Sequence, residues 1–395
     1  MSELPQRLAN AVSDPMAFAV PVAPRTLALT DDAQGRVAVT RDASGVTTLP
    51  LVAAPVGDRV VHETPAGFER RFRTSVVQGA SPAASSAWAE PRALVDAWSA
   101  GAELLDPATL AVLAPGRAPA GSEALSSAAW VTPLRTATLP PATHTNAVVI
   151  HGDDGERWLV DPGADDALEL SRVATVARGV SAILLTHHHR DHTTGAARLA
   201  DRLGVPILAH PWTAARLSDV PVARTLGEGD AGPAGWSLLH TPGHAPGHLC
   251  AWHAARRVLV AGDMIASVGT IVIDPPDGAM GPYLSSLARL AGLQPRVVVP
   301  AHGAPIVGGA ERLRATIAHR LWREARILEA LSHEPTSLAQ LVTRAYSDVA
   351  PSVHWLAERQ ALAHLRKLVD DARAAEHEGR WSVRTDATAH PAAAD

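Results

Sequence analysis

The chain has 395 residues, more than one ordinary domain accommodates, so two or three domains are expected. Apolar side chains make up 47% of it, which excludes a disordered chain. A net charge of −5 gives no global attraction to nucleic acid or to an anionic membrane, and a single cysteine, Cys250, excludes an intrachain disulfide.

Aromatic residues are only 4% of the chain, so its cores must be built from Val, Leu, Ile and Ala. No uninterrupted apolar run of about 18 residues occurs, so no membrane-spanning helix is expected. The N-terminus lacks a basic start with a long apolar run, so no signal peptide is expected. Together these features fit a cytoplasmic protein.

In chain order, residues 1–23 read as a loose arm. Residues 24–41 read as a β-hairpin turning at Gly35, followed by strands at 47–55 and 68–78. Helices are predicted at Arg92–Ala100 and near Pro107–Leu113. The Pro-, Ala-, Gly- and Ser-rich residues 115–127 read as a linker.

From about residue 131, short apolar runs each end in a polar or glycine-marked loop. They are Ala147–Ile150, Trp158–Val160, Ala182–Leu185, Pro206–Ala209, Trp236–Leu239, Leu249–Trp252, Val258–Val260 and Val297–Val299. Helices are predicted between them at 166–177, 193–203 and 282–292. Strands alternating with helices indicate an α/β domain. Beyond His302, helices are predicted at 311–331, Ser337–Tyr346 and His354–Ala375, then a short strand at 379–384. That pattern suggests a small winged-helix-type domain, and the last eleven residues read as a frayed tail.

The strongest chemical signal is Thr186-His187-His188-His189-Arg190-Asp191-His192, directly after the apolar strand Ala182–Leu185. Imidazole and carboxylate are the usual ligands of zinc and related metals. His187 and His189, two residues apart in an extended turn, can point to one side, and Asp191 and His192 open the following helix. The same loop form recurs downstream: His244 in Thr241-Pro-Gly-His, Asp263 after Val258-Leu-Val-Ala-Gly, and His302 after Val297-Val-Val-Pro-Ala. A solvated polar loop would not explain that recurrence, whereas ligands at several strand ends can converge on one sheet edge.

Other residues are weaker candidates. His188 should point away from its neighbours, and His248 reads as a structural or supporting histidine. His144 and Asn146 face either the substrate or a loop. Tyr283 reads as a packing residue at a helix start, and Cys250 as a buried small hydrophobe.

The series His187-x-His189-x-Asp191-His192, His244, Asp263 and His302 resembles the metallo-β-lactamase superfamily signature, with Val160-Asp161-Pro-Gly163 resembling its first acidic motif. The resemblance covers roughly residues 131–310 and implies an αβ/βα sandwich. It implies one metal on His187, His189 and His244, a second on Asp191, His192 and His302, and Asp263 as the bridge, with Asp161 anchoring the loops. Two divalent ions would be the cofactors, zinc first, with iron or manganese as alternatives. Asp191 and Asp263 would be catalytic as well as ligating. Metals about 3.5–4 Å apart can share a hydroxide that attacks a carbonyl or phosphorus centre.

The C-terminal run from His319 to Leu331, with Ala357–Leu368, resembles the winged-helix tail of lactamase-β-like hydrolases, a group that includes a single-strand RNA endonuclease. Residues 316–384 hold ten basic and nine acidic residues, which tempers a nucleic-acid reading, although Arg320, Arg323 and Arg326 could form a local stripe. At the other end, Phe68–Thr74, Ala87–Trp98 and Leu105–Leu110 resemble the later half of a Nudix-type domain. The paired glutamates of that catalytic helix are absent, so the resemblance implies an inactive remnant; an unrelated accessory domain is the alternative.

The expected organisation is therefore mixed α/β (α+β): an N-terminal α+β accessory domain at 1–125, a catalytic sandwich at 131–310 and a winged-helix-like domain at 311–384. The expected function is a metallo-hydrolase of an ester, lactone or thioester in a small-molecule substrate. A single-stranded RNA phosphodiesterase, a β-lactamase and a non-enzymatic binding protein are the alternatives. No membrane partner is expected, and a homo-oligomer is left open.

Overall fold

A computed structural model of the 395-residue chain describes residues 25–41, 46–52, 59–63, 73–78, 85–99, 103–105, 109, 112–113, 130–136, 138, 142, 144–164, 166–267, 269–303, 305–349 and 351–384. The expected arm, the linker and the C-terminal tail lie outside these residues, as does most of the short helix near 107–113.

The N-terminal strands are β1 (Arg25–Leu29), β2 (Val37–Arg41), β3 (Val46–Thr48), β4 (Leu51–Val52), β5 (Arg59–Glu63), β6 (Arg73–Gln78), β7 (Ala87–Ala89) and β8 (Leu104–Leu105), with helix α1 (Pro91–Ser99) between the last two. They form two sheets, β4-β1-β6-β5 and β7-β2-β3-β8. The predicted hairpin turn is present, with Gly35 at φ 75° and Asp32 capping the turn, but its arms separate into different sheets. An isolated two-stranded ribbon is marginal, and β1 gains a five-residue parallel ladder on β6 that a hairpin with β2 would forgo.

The central region is a four-layer sandwich. One sheet contains β9 (Val131–Thr136), β10 (Thr145–His151), β11 (Arg157–Val160), β12 (Ala182–Leu185), β13 (Ile207–Ala209) and β14 (Val222–Thr225), in the order β14-β13-β12-β11-β10-β9. The other contains β15 (Trp236–His240), β16 (Leu249–His253), β17 (Val258–Ala266), β18 (Val297–His302) and β19 (Ile306–Val307), in sequential order.

Strand periodicity explains why these runs are continuously apolar rather than alternating. Both faces are covered, so both sets of side chains must leave water. Val148, Ile150, Val160 and Leu184 meet Leu249, Val258, Val260 and Val299 between the sheets. The alternate residues Val149, Leu159, Ile183 and Leu185 pack outward on helices α2 (Ala167–Val176) and α4 (Ala196–Leu203). On the other side, Leu259, Cys250 and Val298 meet α6 (Met280–Gly292) and α7 (Gly309–Ala330) through Tyr283, Leu287 and Leu313.

A single turn, α3 (Arg190–Thr193), precedes α4, and another, α5 (Pro211–Ala214), follows β13. Strands β9, β14 and β19 are absent from the sequence-based strand set; β9 is interrupted by Pro133, β14 is mostly exposed and β19 has two residues.

After α7 come α8 (Leu338–Ala345), opened by a Ser337–Gln340 capping box, and α9 (His354–Asp370). The predicted third helix, 354–375, overruns α9 by five residues. Ala372 takes φ 56° and the chain enters a hairpin, β21 (Ala374–His377) with β22 (Arg380–Val383), turning at Glu378-Gly379. Strand β20 (Thr336–Ser337) adds to β22, and Trp381 closes the small core. No described helix is long and apolar enough to cross a membrane.

Candidate metal centre

The seven sequence-predicted side chains come from four separate segments and meet at one edge of the sandwich. His187, His189, Asp191 and His192 follow β12 and run into α3; His244 lies between β15 and β16; Asp263 sits within β17; His302 ends β18. Close backbone approach is what allows the assembly. A Cβ on Gly163 would lie 1.7 Å from the Asp191 carbonyl oxygen, and one on Gly262 would lie 2.5 Å from His248 Nε2. Gly262 also takes φ 49°, at a register shift within β17 directly before Asp263.

Three imidazole nitrogens converge on one point. His189 Nδ1 is 2.9 Å from His187 Nε2 and 2.9 Å from His244 Nε2, and the latter two are 3.2 Å apart. The His244 ring donates Nδ1–H to the Val272 carbonyl at 2.8 Å, so its Nε2 carries a lone pair. Thr186 donates its hydroxyl to Asp161 at 2.6 Å and therefore accepts from His187 Nδ1–H at 3.0 Å, leaving His187 Nε2 deprotonated as well. Burial holds all three rings below their ordinary pKa, His189 at about 3. Two neutral rings that turn lone pairs toward the His189 Nδ1 form a nitrogen donor set that a cation would fit.

Asp263 spans two such points. Its Oδ2 lies 3.3 Å from His244 Nε2 and 3.9 Å from His187 Nε2. Its Oδ1 lies 3.2 Å from His302 Nε2 and 3.6 Å from His192 Nε2. Asp191 Oδ2 completes the second group, 3.5 Å from His192 Nε2 and 3.7 Å from His302 Nε2. On this side His192 Nδ1–H goes to Asp161 at 2.8 Å and His302 Nδ1–H to the His144 carbonyl at 3.0 Å, so both Nε2 atoms face inward. His192 Nε2 and Asp263 Oδ1 are buried without a hydrogen-bond partner.

The electrostatics of the two groups differ. Burial opposes ionisation of Asp263, but His302 and His192 outweigh it and hold the carboxylate well below its usual range. Burial likewise opposes charge on His192 and His302, yet Asp191 and Asp263 lift His192 well above its ordinary value, and Asp263 lifts His302. This side thus calls for positive charge, whether as protons on imidazole or as a bound cation. The donors are all nitrogen and oxygen, a set suited to zinc, iron or manganese.

The residues around the centre hold it in place. Asp161 also lies within reach of His187 and His192 as a potential ligand group. Its lone pairs are already taken by the Thr186 N–H at 2.7 Å, the Thr186 hydroxyl and His192, so it anchors rather than ligates. His248 accepts the Asp263 N–H at Nε2 (3.0 Å) and meets Thr241 through Nδ1. Thr138 donates to Asp191 at 3.0 Å; its place in the site carried no signal in the sequence.

The weaker candidates divide cleanly. His188 turns away to Asp277 at 3.1 Å. Asn146 is buried and donates to the carbonyls of Pro300 and Gly303, which clamps the His302 loop instead of facing a substrate. Tyr283 is a packing residue whose hydroxyl donates to the Met264 carbonyl. Cys250 is buried, and burial pushes its thiol up to about 12.

A metallo-β-lactamase superfamily model matches residues 140–302, and a β-lactamase associated winged helix domain model matches residues 337–381. Neither reaches the N-terminal residues on which the Nudix-like expectation rests. The chain is 28% identical over 242 residues to the β-lactamase-like protein 2 homolog of Caenorhabditis elegans, covering 58% of this chain and 79% of that protein. It is 28% identical over 255 residues to the atrochrysone carboxyl ACP thioesterase of Aspergillus fumigatus, covering 58% of each. The crystal structure of a β-lactamase domain protein from Burkholderia ambifaria shares the fold, with TM-score 0.57, 24% identity and coverage of 66% of this chain and 93% of that one. The chain belongs, through residues 140–302, to the metallo-β-lactamase superfamily of metal-dependent hydrolases, and carries a β-lactamase associated winged helix behind that domain.

Proposed function

We propose that this protein is a thioester hydrolase that works with two divalent metal ions, zinc first among the candidates. The observation that carries the two-ion reading is the position of Asp263, whose two carboxylate oxygens face two different sets of donors. His187, His189 and His244 would hold one ion, and Asp191, His192 and His302 the other, with Asp263 shared. When bound, such ions lower the pKa of water from about 15.7 toward neutrality and stabilise a developing oxyanion.

The protein's own part is placement. Asp263 and Asp191 supply the negative charge that lets two cations sit close together. Asp161, Thr186 and the Val272 and His144 carbonyls fix the imidazole tautomers so that no ligand must reorient. No side-chain nucleophile is required, and Cys250, buried and with a raised pKa, is unsuited to the part. The choice of a thioester over an ester or lactone follows a relative named as a thioesterase, whose similarity extends over 255 residues.

The RNA alternative is weakened by the winged helix itself. The stripe expected from Arg320, Arg323 and Arg326 is not a surface: Arg320 and Arg323 are only 3% and 6% exposed. Arg323 is paired with Asp348, and Arg326 is half-buried against the Ala345 carbonyl and Ser347. Metal-loaded protein assayed against a neutral acyl thioester, a lactone, a simple ester, a β-lactam and single-stranded RNA tests the proposal. Thiol release from the thioester, abolished by chelation and restored by zinc, is expected. Turnover of RNA or β-lactam with none of the thioester would overturn it.

A further inference from the structure

A cavity of about 710 Å³ opens from His244, Asp263 and His302 and runs between the sandwich and helices α7 and α9. Its walls are apolar over Ile271, Val353 and Leu356, while Arg312, Arg320 and Arg323 border it from α7. Arg323 is neutralised by its two-point contact with Asp348. Arg312 and Arg320 are not neutralised. Among the described residues, Arg320 donates hydrogen bonds to the Gln360 side-chain oxygen and the Ile271 carbonyl, and Arg312 to the carbonyls of Ala266 and Ser267. Neither forms an ion pair among the described residues, and the Nε of each is buried without a partner. Arg320 also packs its guanidinium over the Tyr283 ring, 5.4 Å from the centroid.

A buried cation without a counter-charge is costly and is ordinarily removed or paired. One buried cation, Arg320, and one half-buried one, Arg312, bordering a cavity that ends at a hydrolytic centre have a simple resolution. We infer that the substrate supplies the missing negative charge: an anionic group on one arm of the thioester seats on the wall of the cavity that carries Arg312 and Arg320, while the carbonyl lies at Asp263. A guanidinium binds a carboxylate or phosphate with several directed donors, so the seat would fix the length and direction of the arm as well as its charge. The apolar walls suit the chain between the two ends. The inference rests on the thioesterase reading for the identity of the bond, but not for the presence of an anion seat.

Arg320 has a second role that the test must separate. Its contact with the Ile271 carbonyl braces the segment whose next residue, Val272, accepts from His244. A purely bracing residue would affect all substrates alike, whereas an anion seat changes the ratio between charged and neutral ones. Three thioesters of one acyl length provide the comparison: a neutral N-acetylcysteamine thioester, the same with a terminal carboxylate on the acyl arm, and the coenzyme A thioester, with phosphate on the thiol arm. The wild-type protein should favour one anionic substrate in kcat/KM by on the order of 10- to 100-fold, as charge-assisted hydrogen bonds to one group warrant. Which one wins identifies the arm that carries the charge. Arg320→Met and Arg312→Gln should bring the ratio toward one with two metals still bound. Calorimetric binding of coenzyme A and of the released carboxylic acid to metal-loaded protein should weaken by the same factor. If no thioester is cleaved but that binding remains arginine-dependent, the thioesterase reading fails and the seat stands. A ratio near one in the wild type, or a ratio unchanged in both variants, would overturn the seat. If Arg320→Met does not fold, Arg312→Gln, which is half-buried, decides alone.

Discussion

Asp161 lies 2.8 Å from His192 Nδ1 while also accepting the N–H and hydroxyl of Thr186, the residue that orients His187. One carboxylate thus orients an imidazole on each side of the centre. It does so from a left-handed backbone position, φ 50°, in the turn that leaves β11. Asp161→Ala should leave the sandwich folded and weaken metal affinity by roughly 10- to 100-fold, the usual effect of removing such a support. Competition with a chromophoric chelator measures it. Unchanged affinity for both ions would remove Asp161 from the supporting set.

Asp263→Ala removes the charge shared between the two donor sets. Elemental analysis should fall from two ions per chain to one or fewer, and turnover should be lost with circular dichroism unchanged. Cys250→Ser is the matched control, because Cys250 lies in the same sheet and its thiol meets Thr241 and the Ala261 carbonyl, not a proposed donor atom. It should retain two ions and its activity. A thiol reagent should label the folded wild-type protein slowly, since burial pushes that thiol up to about 12.

Removing residues 1–125 tests the proposed division at 131–310 and 311–384. Both central sheets are built from residues 131–307, and among the described residues their strands pair with one another. A soluble truncation should therefore bind two ions and turn over substrate. A folded truncation without metal would show that the accessory part contributes to the centre.

His151 sets an acid limit on stability. Burial, with Arg157 and Arg256 nearby, lowers its pKa from 6.5 to about 4. The unfolded chain takes up a proton that the folded chain refuses, so this contribution is complete above about pH 6.5 and is lost as pH falls toward 4. His151→Gln should flatten the decline of Tm across that window when both proteins carry the same metal load. Parallel declines in the two proteins would count against the shift.

The sequence by itself marked the seven candidate donors and much of the secondary structure. A small residue before a ligand-type side chain at a strand end is a readable mark, present at Thr241-Pro-Gly-His and Val258–Asp263. The continuously apolar runs marked strands covered on both faces, because a solvent-facing side would have shown polar alternation. Tertiary structure decided what depends on distant partners. The two arms at 25–41 entered different sheets because β1 found its ladder on β6, more than forty residues away. The wing began where α9 ended, because Ala372 and Gly379 turn the chain so that Trp381 can be buried. Of the α7 arginines read in one dimension as a surface stripe, Arg320 lies against the sandwich at Ile271, while Arg323 and Arg326 turn to Ala345, Ser347 and Asp348 after α8. Helical spacing shows which side chains share a face, but only packing decides whether that face meets water.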